Sequence, residues 1–185
     1  MRMRKKKNLI PRLERCAAVH IKDPENHKGK WLELNSGCSE LHLEIGCGKG
    51  RFTAETAANN PDTLFIAVEK VPDALVVAME RAVANELKNV YFITCDAALL
   101  AEFFAEGEVR RIYINFCDPW PTKRHAKRRL TSPGFLNIYK TILAEGGEIH
   151  FKTDNSQLFE YSLEQFSENG FELHEVTRNL HENGI

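Results

Sequence analysis

Leu43-Glu44-Ile45-Gly46-Cys47-Gly48-Lys49-Gly50-Arg51-Phe52 decides how the chain is read. A short apolar run ends in an acid and passes into glycines at alternate positions. Glycine there lets the backbone turn tightly and approach a ligand with no Cβ in the way. Two familiar phosphate loops fit poorly. A dinucleotide fingerprint needs G-x-G-x-x-G, with its third glycine one place later, and a P-loop needs Gly-Lys-Ser/Thr, whereas Lys49 is followed by Gly50. Glu44 would also repel a pyrophosphate, and it suits a ligand that carries positive charge. Taken alone, the segment leaves a plain structural turn open as the alternative.

Outward from this loop, short apolar runs alternate with helical stretches. The strand candidates are Leu41–Ile45, Leu64–Val68, Val90–Thr94, Arg111–Phe116, Glu148–Lys152 and Phe171–Val176. Helical stretches lie near 51–59, 73–87, 97–105, 133–144 and 156–168. Pro72 and Pro133 sit where a helix's first turn needs no N–H, and Gly107, Gly146-Gly147 and Gly170 mark the exits. Such alternation predicts an α/β fold, a mostly parallel sheet with helices on both faces. Residues 1–40 form a basic N-terminal tail and a lead-in containing Trp31, and residues 41–185 form the main domain.

Ligands of such sheets bind beyond the carboxyl ends of the strands, so the residues after each strand carry the function. The second predicted strand ends at Glu69, 19 residues after Gly50, where a carboxylate can accept from both hydroxyls of a ribose. The third leads to Asp96, placed to accept from an adenine amino group. Either acid alone is as readily a helix cap or a surface charge. In order after successive strands, Glu44, Glu69 and Asp96 indicate a nucleoside cofactor with a cationic end, for which S-adenosylmethionine is suited. The fourth strand runs into Asn115-Phe116-Cys117-Asp118-Pro119-Trp120-Pro121, a turn that two prolines hold rigid. Amino-group methyltransferases of nucleic acids carry an acid/amide-Pro-Pro-aromatic turn at this point. Here the aromatic lies between the prolines, which implies a different geometry and target atom. Lys123-Arg124-His125-Ala126-Lys127-Arg128-Arg129 follows at once, putting polyanion-binding charge beside that turn.

A net charge of −1 conceals this segregation. Residues 1–15 hold seven Lys/Arg against one Glu, residues 123–129 hold five Lys/Arg and no acid, and the remainder holds 13 basic and 25 acidic residues. Two basic segments on an acidic body predict local contact with a polyanion. The bland alternative is solvated surface. The five cysteines are scattered with no C-x-x-C pair, which argues against a disulfide framework or a zinc site and for a reducing cytoplasm. No run approaches the roughly 18 apolar residues of a membrane span.

With those residues in place, the sequence resembles the bacterial tRNA (guanine-N7-)-methyltransferase family, of the Rossmann-like class I S-adenosylmethionine-dependent fold. The resemblance runs to about residue 181 and rests on Leu43–Gly50, Asn115–Arg129 and Phe151-Lys152-Thr153-Asp154-Asn155. It implies methyl transfer from S-adenosylmethionine to N7 of the guanosine at position 46 in the tRNA variable loop, with no metal, by a monomer or homodimer. It further implies that Glu44, Gly46, Gly48, Gly50, Glu69, Asp96 and Asp118 contact the cofactor and that Asp118 is catalytic. Thr122, Lys123, Arg124, His125, Lys127, Arg128, Arg129 and Asp154 would meet the RNA. Two departures stand out. Position 122 is Thr where the family usually has Lys, and the chain ends at Ile185, before a Thr-x-Tyr-Glu segment and a final strand that members carry. The chain is therefore expected to be part of a longer protein. A methyltransferase on another RNA or on a protein, a non-catalytic RNA-binding module of this fold and a nicotinamide oxidoreductase are the competing readings, the last disfavoured by its glycine spacing.

Overall fold

The computed structural model describes residues 8–178, so the first seven residues of the basic tail and the last seven of the chain lie outside it. Its centre is a sheet of six strands: β1 (His20–Ile21), β2 (Glu40–Ile45), β3 (Thr63–Val68), β4 (Val90–Ile93), β5 (Val109–Asn115) and β6 (Leu143–Lys152). They lie in the order β1-β4-β3-β2-β5-β6, and every neighbouring pair is parallel. Parallel neighbours need long crossover connections, which are supplied mainly by helices. These are α1 (Leu9–Arg15), α2 (Arg51–Asn59), α3 (Pro72–Ala84), α4 (Leu100–Phe103), α5 (Pro133–Ile142) and α6 (Ser156–Glu168).

The two-residue period of a strand sorts the core into two layers. Leu41, Leu43, Ile45, Ile66, Ile112 and Ile114 face α4, α5 and α6, where Leu100, Leu136, Tyr139 and Phe166 meet them. Phe65, Ala67 and Phe92 face Leu75, Val76 and Met79 of α3, with α1 and α2 alongside. β3, covered on both sides, is buried at every position, as expected for the middle of a parallel sheet. The expected layering, helices on both faces of a parallel sheet, is found. The lead-in is fastened to the α4 side by Trp31, which is fully enclosed, donates from Nε1 to the Phe103 carbonyl at 3.0 Å and stacks on Phe104.

The differences from the sequence reading have local causes. The lead-in contributes β1, pairing His20 with Phe92 and Ile21 with Ile93. β6 begins at Leu143, not Glu148, so Gly146-Gly147 lie within the strand instead of marking a helix exit. The register with β5 shifts there between Val109 and Arg111, a bulge that absorbs the irregularity. The stretch 97–105 splits into a 3₁₀ turn (Ala97–Leu99) and the short α4. Phe171–Val176 is not a strand. Among the described residues no strand flanks the outer edge of β6, so this stretch makes no ladder with the sheet. Phe171 instead packs edge-on against Phe166, while Leu173 and Val176 are exposed.

The strand order reverses between β2 and β5. β3 lies on one side of β2, and the chain later returns to lay β5 on the other. The crevice beyond the carboxyl ends of those two strands is where open α/β sheets bind their ligands.

Candidate active site

The β2 side of this crevice is built around Glu44. Its carboxylate is only 3% exposed and accepts hydrogen bonds from the Thr53 hydroxyl on α2 and, at 3.4 Å, from the Asn115 amide at the end of β5. Burial pushes the carboxyl above its ordinary range, the two hydrogen bonds pull the other way, and nearby Glu69 adds repulsion. A carboxylate held under those conditions gains from a neighbouring cation. Beyond it, Gly46 and Gly48 have φ of +78° and +55°, and a Cβ at either would meet nothing within 4 Å. Both front open space. Gly50 differs: at φ +67°, a Cβ would lie 2.5 Å from Ala78 Cβ and 2.8 Å from its Cα, so this glycine lets α2 start against α3.

Glu69, at the end of β3, accepts from the Gly48 N–H at 3.0 Å and the Val71 N–H at 2.9 Å, tying the glycine loop to the next strand. Each of its oxygens keeps a lone pair for a further donor. Asp96 is exposed past β4 and accepts from the Ala98 N–H at 3.0 Å, capping the 3₁₀ turn. The three acids thus stand in sequence along three neighbouring strand ends.

The β5 side is the Asp118 turn. Asp118 is exposed. Phe116 and Trp120 flank it with φ of +51° and +42°, a left-handed conformation that costs a residue with a side chain about 1–2 kcal/mol. Such strain persists where the surroundings over-determine it. Here the Phe116 N–H donates to the Lys152 carbonyl at 2.8 Å, while Arg129 donates to the carbonyls of Pro119 and Trp120.

The basic run is a 3₁₀ helix over Lys123–Arg128, whose three-residue turn sorts its side chains. Thr122, His125 and Arg128 share one face. Thr122 Oγ1 lies 3.0 Å from His125 Nδ1, and His125 meets the Trp120 ring edge-on. The Arg128 guanidinium lies 5.0 Å from that ring's centroid. Lys123, Arg124 and Lys127 stand exposed on the remaining faces. Arg129 is placed elsewhere. Expected among the RNA contacts, it is 6% exposed and turned inward, because the helix has ended and its guanidinium meets the unpaired carbonyls of the turn. Asp154 is exposed, and Asn155 caps α6 by accepting from the Leu158 N–H at 2.8 Å.

Thr53 and Asn115, which hold the Glu44 carboxylate, carry no motif that singles them out in the sequence. Thr53 is a buried polar residue on the first turn of α2, nine positions after Glu44, and that spacing was the available signal. All five cysteines are free. Burial raises the Cys47 thiol well above its ordinary value, Cys95 to about 12 and Cys117 to about 11. A groove of about 740 Å³ opens behind the turn between Lys123, Arg129, Glu160, Tyr161 and Glu164, away from Glu44, Glu69 and Asp96. Among the described residues, no helix is long and apolar enough to cross a membrane.

A family model described as "Putative methyltransferase" matches residues 39–185. The chain is 48% identical over 181 residues to the tRNA (guanine-N(7)-)-methyltransferase of Listeria monocytogenes serotype 4b (strain F2365), covering 98% of this chain and 85% of the relative. It is 47% identical over 185 residues to that of Geobacillus kaustophilus (strain HTA426), covering all of this chain and 85% of the relative. Among solved structures, one titled "Structure of an antibiotic related Methyltransferase" superposes with a TM-score of 0.62 at 22% identity, covering 80% of this chain and 77% of the other, a likeness of fold. With that match over most of its length and that identity to these relatives, the chain belongs to the tRNA (guanine-N7-)-methyltransferase family.

Proposed function

We propose that the protein transfers the methyl group of S-adenosylmethionine to N7 of guanosine in tRNA, at position 46 of the variable loop. One observation carries this reading. The strand order reverses between β2 and β5 and the Asn115 amide reaches the buried Glu44, so the acid-lined end of β2 adjoins the strand end from which exposed Asp118 and then the basic run follow. The cradle fits the donor, since Gly46 and Gly48 leave open space where side chains would stand and the buried Glu44 carboxylate is held by a hydroxyl and an amide and, among the described residues, by no cation.

Bound there, S-adenosylmethionine supplies an electrophilic methyl on a cationic sulfur. Glu44 provides the countercharge, Glu69 the acceptor for ribose hydroxyls, and Asp96 the acceptor for the adenine amino group. Thr53 and Asn115 fix the Glu44 carboxylate. Guanine N7 has a free in-plane lone pair and loses no proton when it reacts, so no general base is required. Asp118 accepts from the N1–H and amino edge of the base, orienting it and favouring the positive charge that develops on the purine. Lys123, Arg124 and Lys127 hold tRNA phosphates, which contribute affinity but little sequence information. Thr122, His125 and Arg128 keep the Trp120 face of that contact in place, and Asp154 lines the substrate side. Five free thiols, three of them buried, are consistent with work in the cytoplasm.

The test is methyl transfer from labelled donor to unmodified tRNA, followed by base mapping. Label at the variable-loop guanosine, lost when that residue is 7-deazaguanosine, is the expected result. Label on ribosomal RNA but not tRNA would overturn the substrate, and donor binding without transfer to any RNA would overturn the activity.

A further inference from the structure

We infer that Arg129 is the positioning residue of the Asp118 turn, holding the catalytic carboxylate in place from behind instead of binding tRNA phosphate. Three observations converge on it. Its Nε donates to the Pro119 carbonyl at 3.1 Å and its Nη2 to the Trp120 carbonyl at 3.0 Å, so one guanidinium fork grips two consecutive carbonyls immediately after Asp118. Its other side lies over the Tyr161 ring of α6, 4.2 Å from the centroid. The adjoining segment is anchored to the same helix, since the Thr131 hydroxyl pairs with Ser162 at 2.8 Å, both fully buried. The turn is thereby referenced to α6, a rigid element, and not to the exposed basic helix that precedes Arg129.

The strained backbone explains why such a grip is required. Trp120 stands at φ +42° between two prolines, and Phe116 at +51°. A turn held in a sparsely populated conformation relaxes when its restraint is removed, and Asp118 sits between those two residues. Carbonyls that point inward here have no helix or strand to satisfy them. The planar fork of arginine reaches both at once and stacks on an aromatic face, neither of which an ammonium reproduces. Charge alone therefore does not substitute for this side chain. A phosphate contact, by contrast, tolerates lysine well.

The inference rests on Asp118 being the methyl-transfer centre, and Asp118→Asn, assayed in parallel, tests that premise separately. The deciding variant is Arg129→Lys in the whole protein, with kcat, KM for tRNA and the salt dependence of tRNA binding measured together. The expected result is a fall in kcat of about 10- to 100-fold, with KM for tRNA and the salt slope within twofold of the parent. Acrylamide quenching gives a second readout. Of the two tryptophans, Trp31 is fully enclosed, so the quencher reports Trp120, which becomes more accessible when the grip is lost. Should the lysine variant fail to fold, Tyr161→Leu removes the seat beneath the guanidinium and gives the same pattern at smaller size. Retained kcat with a raised KM and a salt slope lowered by about one would overturn the inference. Unchanged Trp120 quenching alongside a lowered kcat would overturn it as well.

Discussion

The two walls of the crevice are built on opposite principles. On the β2 wall the Glu44 carboxylate is buried and hydrogen-bonded, and the glycine loop is fixed by Glu69 and by the fit of Gly50 against Ala78. On the β5 wall the Asp118 carboxylate is exposed, in a turn whose backbone is strained and gripped from behind. A small cofactor of constant shape suits the first arrangement. A large RNA, which must dock, present one base and leave, suits the second. The difference teaches that geometry on one side is set by packing within the sheet, and on the other by a few polar contacts to a neighbouring helix.

Asp118→Asn breaks the comparison most severely. The amide keeps the shape of the side chain but loses the negative charge, and kcat is expected to fall about 10³-fold, roughly 4 kcal/mol. Donor and tRNA dissociation constants should stay within a few-fold; single-turnover rates with titrated binding check both. Near-normal turnover would remove the proposed role.

Gly50→Ala and Gly48→Ala, made side by side, separate packing from ligand space on the β2 wall. The first drives a Cβ into Ala78 and should cost about 2–4 kcal/mol of stability, from overpacking and left-handed strain combined. The second meets no atom, and should cost about 1–2 kcal/mol of strain while weakening donor binding more than Gly50→Ala does when both are folded. Thermal melts and donor calorimetry distinguish them, and equal melting temperatures would refute the division.

Glu44→Gln sharpens the contrast by separating function from stability. Donor affinity should fall about 10-fold, the scale of one hydrogen-bonded charge, while the melting temperature holds or rises. The sign follows from burial. The folded carboxyl pKa lies above its unfolded value, so relative stability is fully present below the unfolded pKa and is lost as pH rises through the folded one. Removing the charge abolishes that loss at neutral pH. Donor affinity of the parent should weaken as pH falls through a window above the ordinary carboxylate range, and a profile flat there would count against Glu44.

The smallest effects belong to the exposed cations. Lys123→Gln, Arg124→Gln and Lys127→Gln should each weaken tRNA binding by a few-fold and lower the salt slope by about one. Filter binding across a salt series reads this directly, and no change in slope for any of the three would displace the RNA contact from this helix.

Sequence disclosed the β2 wall more fully than the β5 wall. Strand-to-glycine transitions and acids at strand ends are local patterns, and β2, β3 and β4 leave them in order. β1 escaped because two residues carry no periodicity, and the start of β6 because a bulge places glycines inside a strand. Charge counting grouped five cations, yet a three-residue turn points two of its cationic side chains in one direction and the helix end turns Arg129 inward. Composition cannot reveal that, because which guanidinium is enclosed depends on Tyr161, more than thirty residues away. Phe171–Val176 reads as a strand, but strands are made by partners as much as by propensity.

The thiols around the crevice carry a pharmacological consequence. Cys47 lies within the glycine loop, Cys95 precedes Asp96 and Cys117 precedes Asp118, so three sulfurs stand where a covalent inhibitor would aim. With pKa values of about 12 and about 11, Cys95 and Cys117 hold thiolate in roughly one part in 10⁴ or less at neutral pH, and the thiolate is the reactive form. Scarce thiolate slows attack by electrophilic warheads and mild oxidants at Cys95 and Cys117, and reversible ligands that exploit the buried Glu44 carboxylate are the alternative chemistry for blocking this crevice.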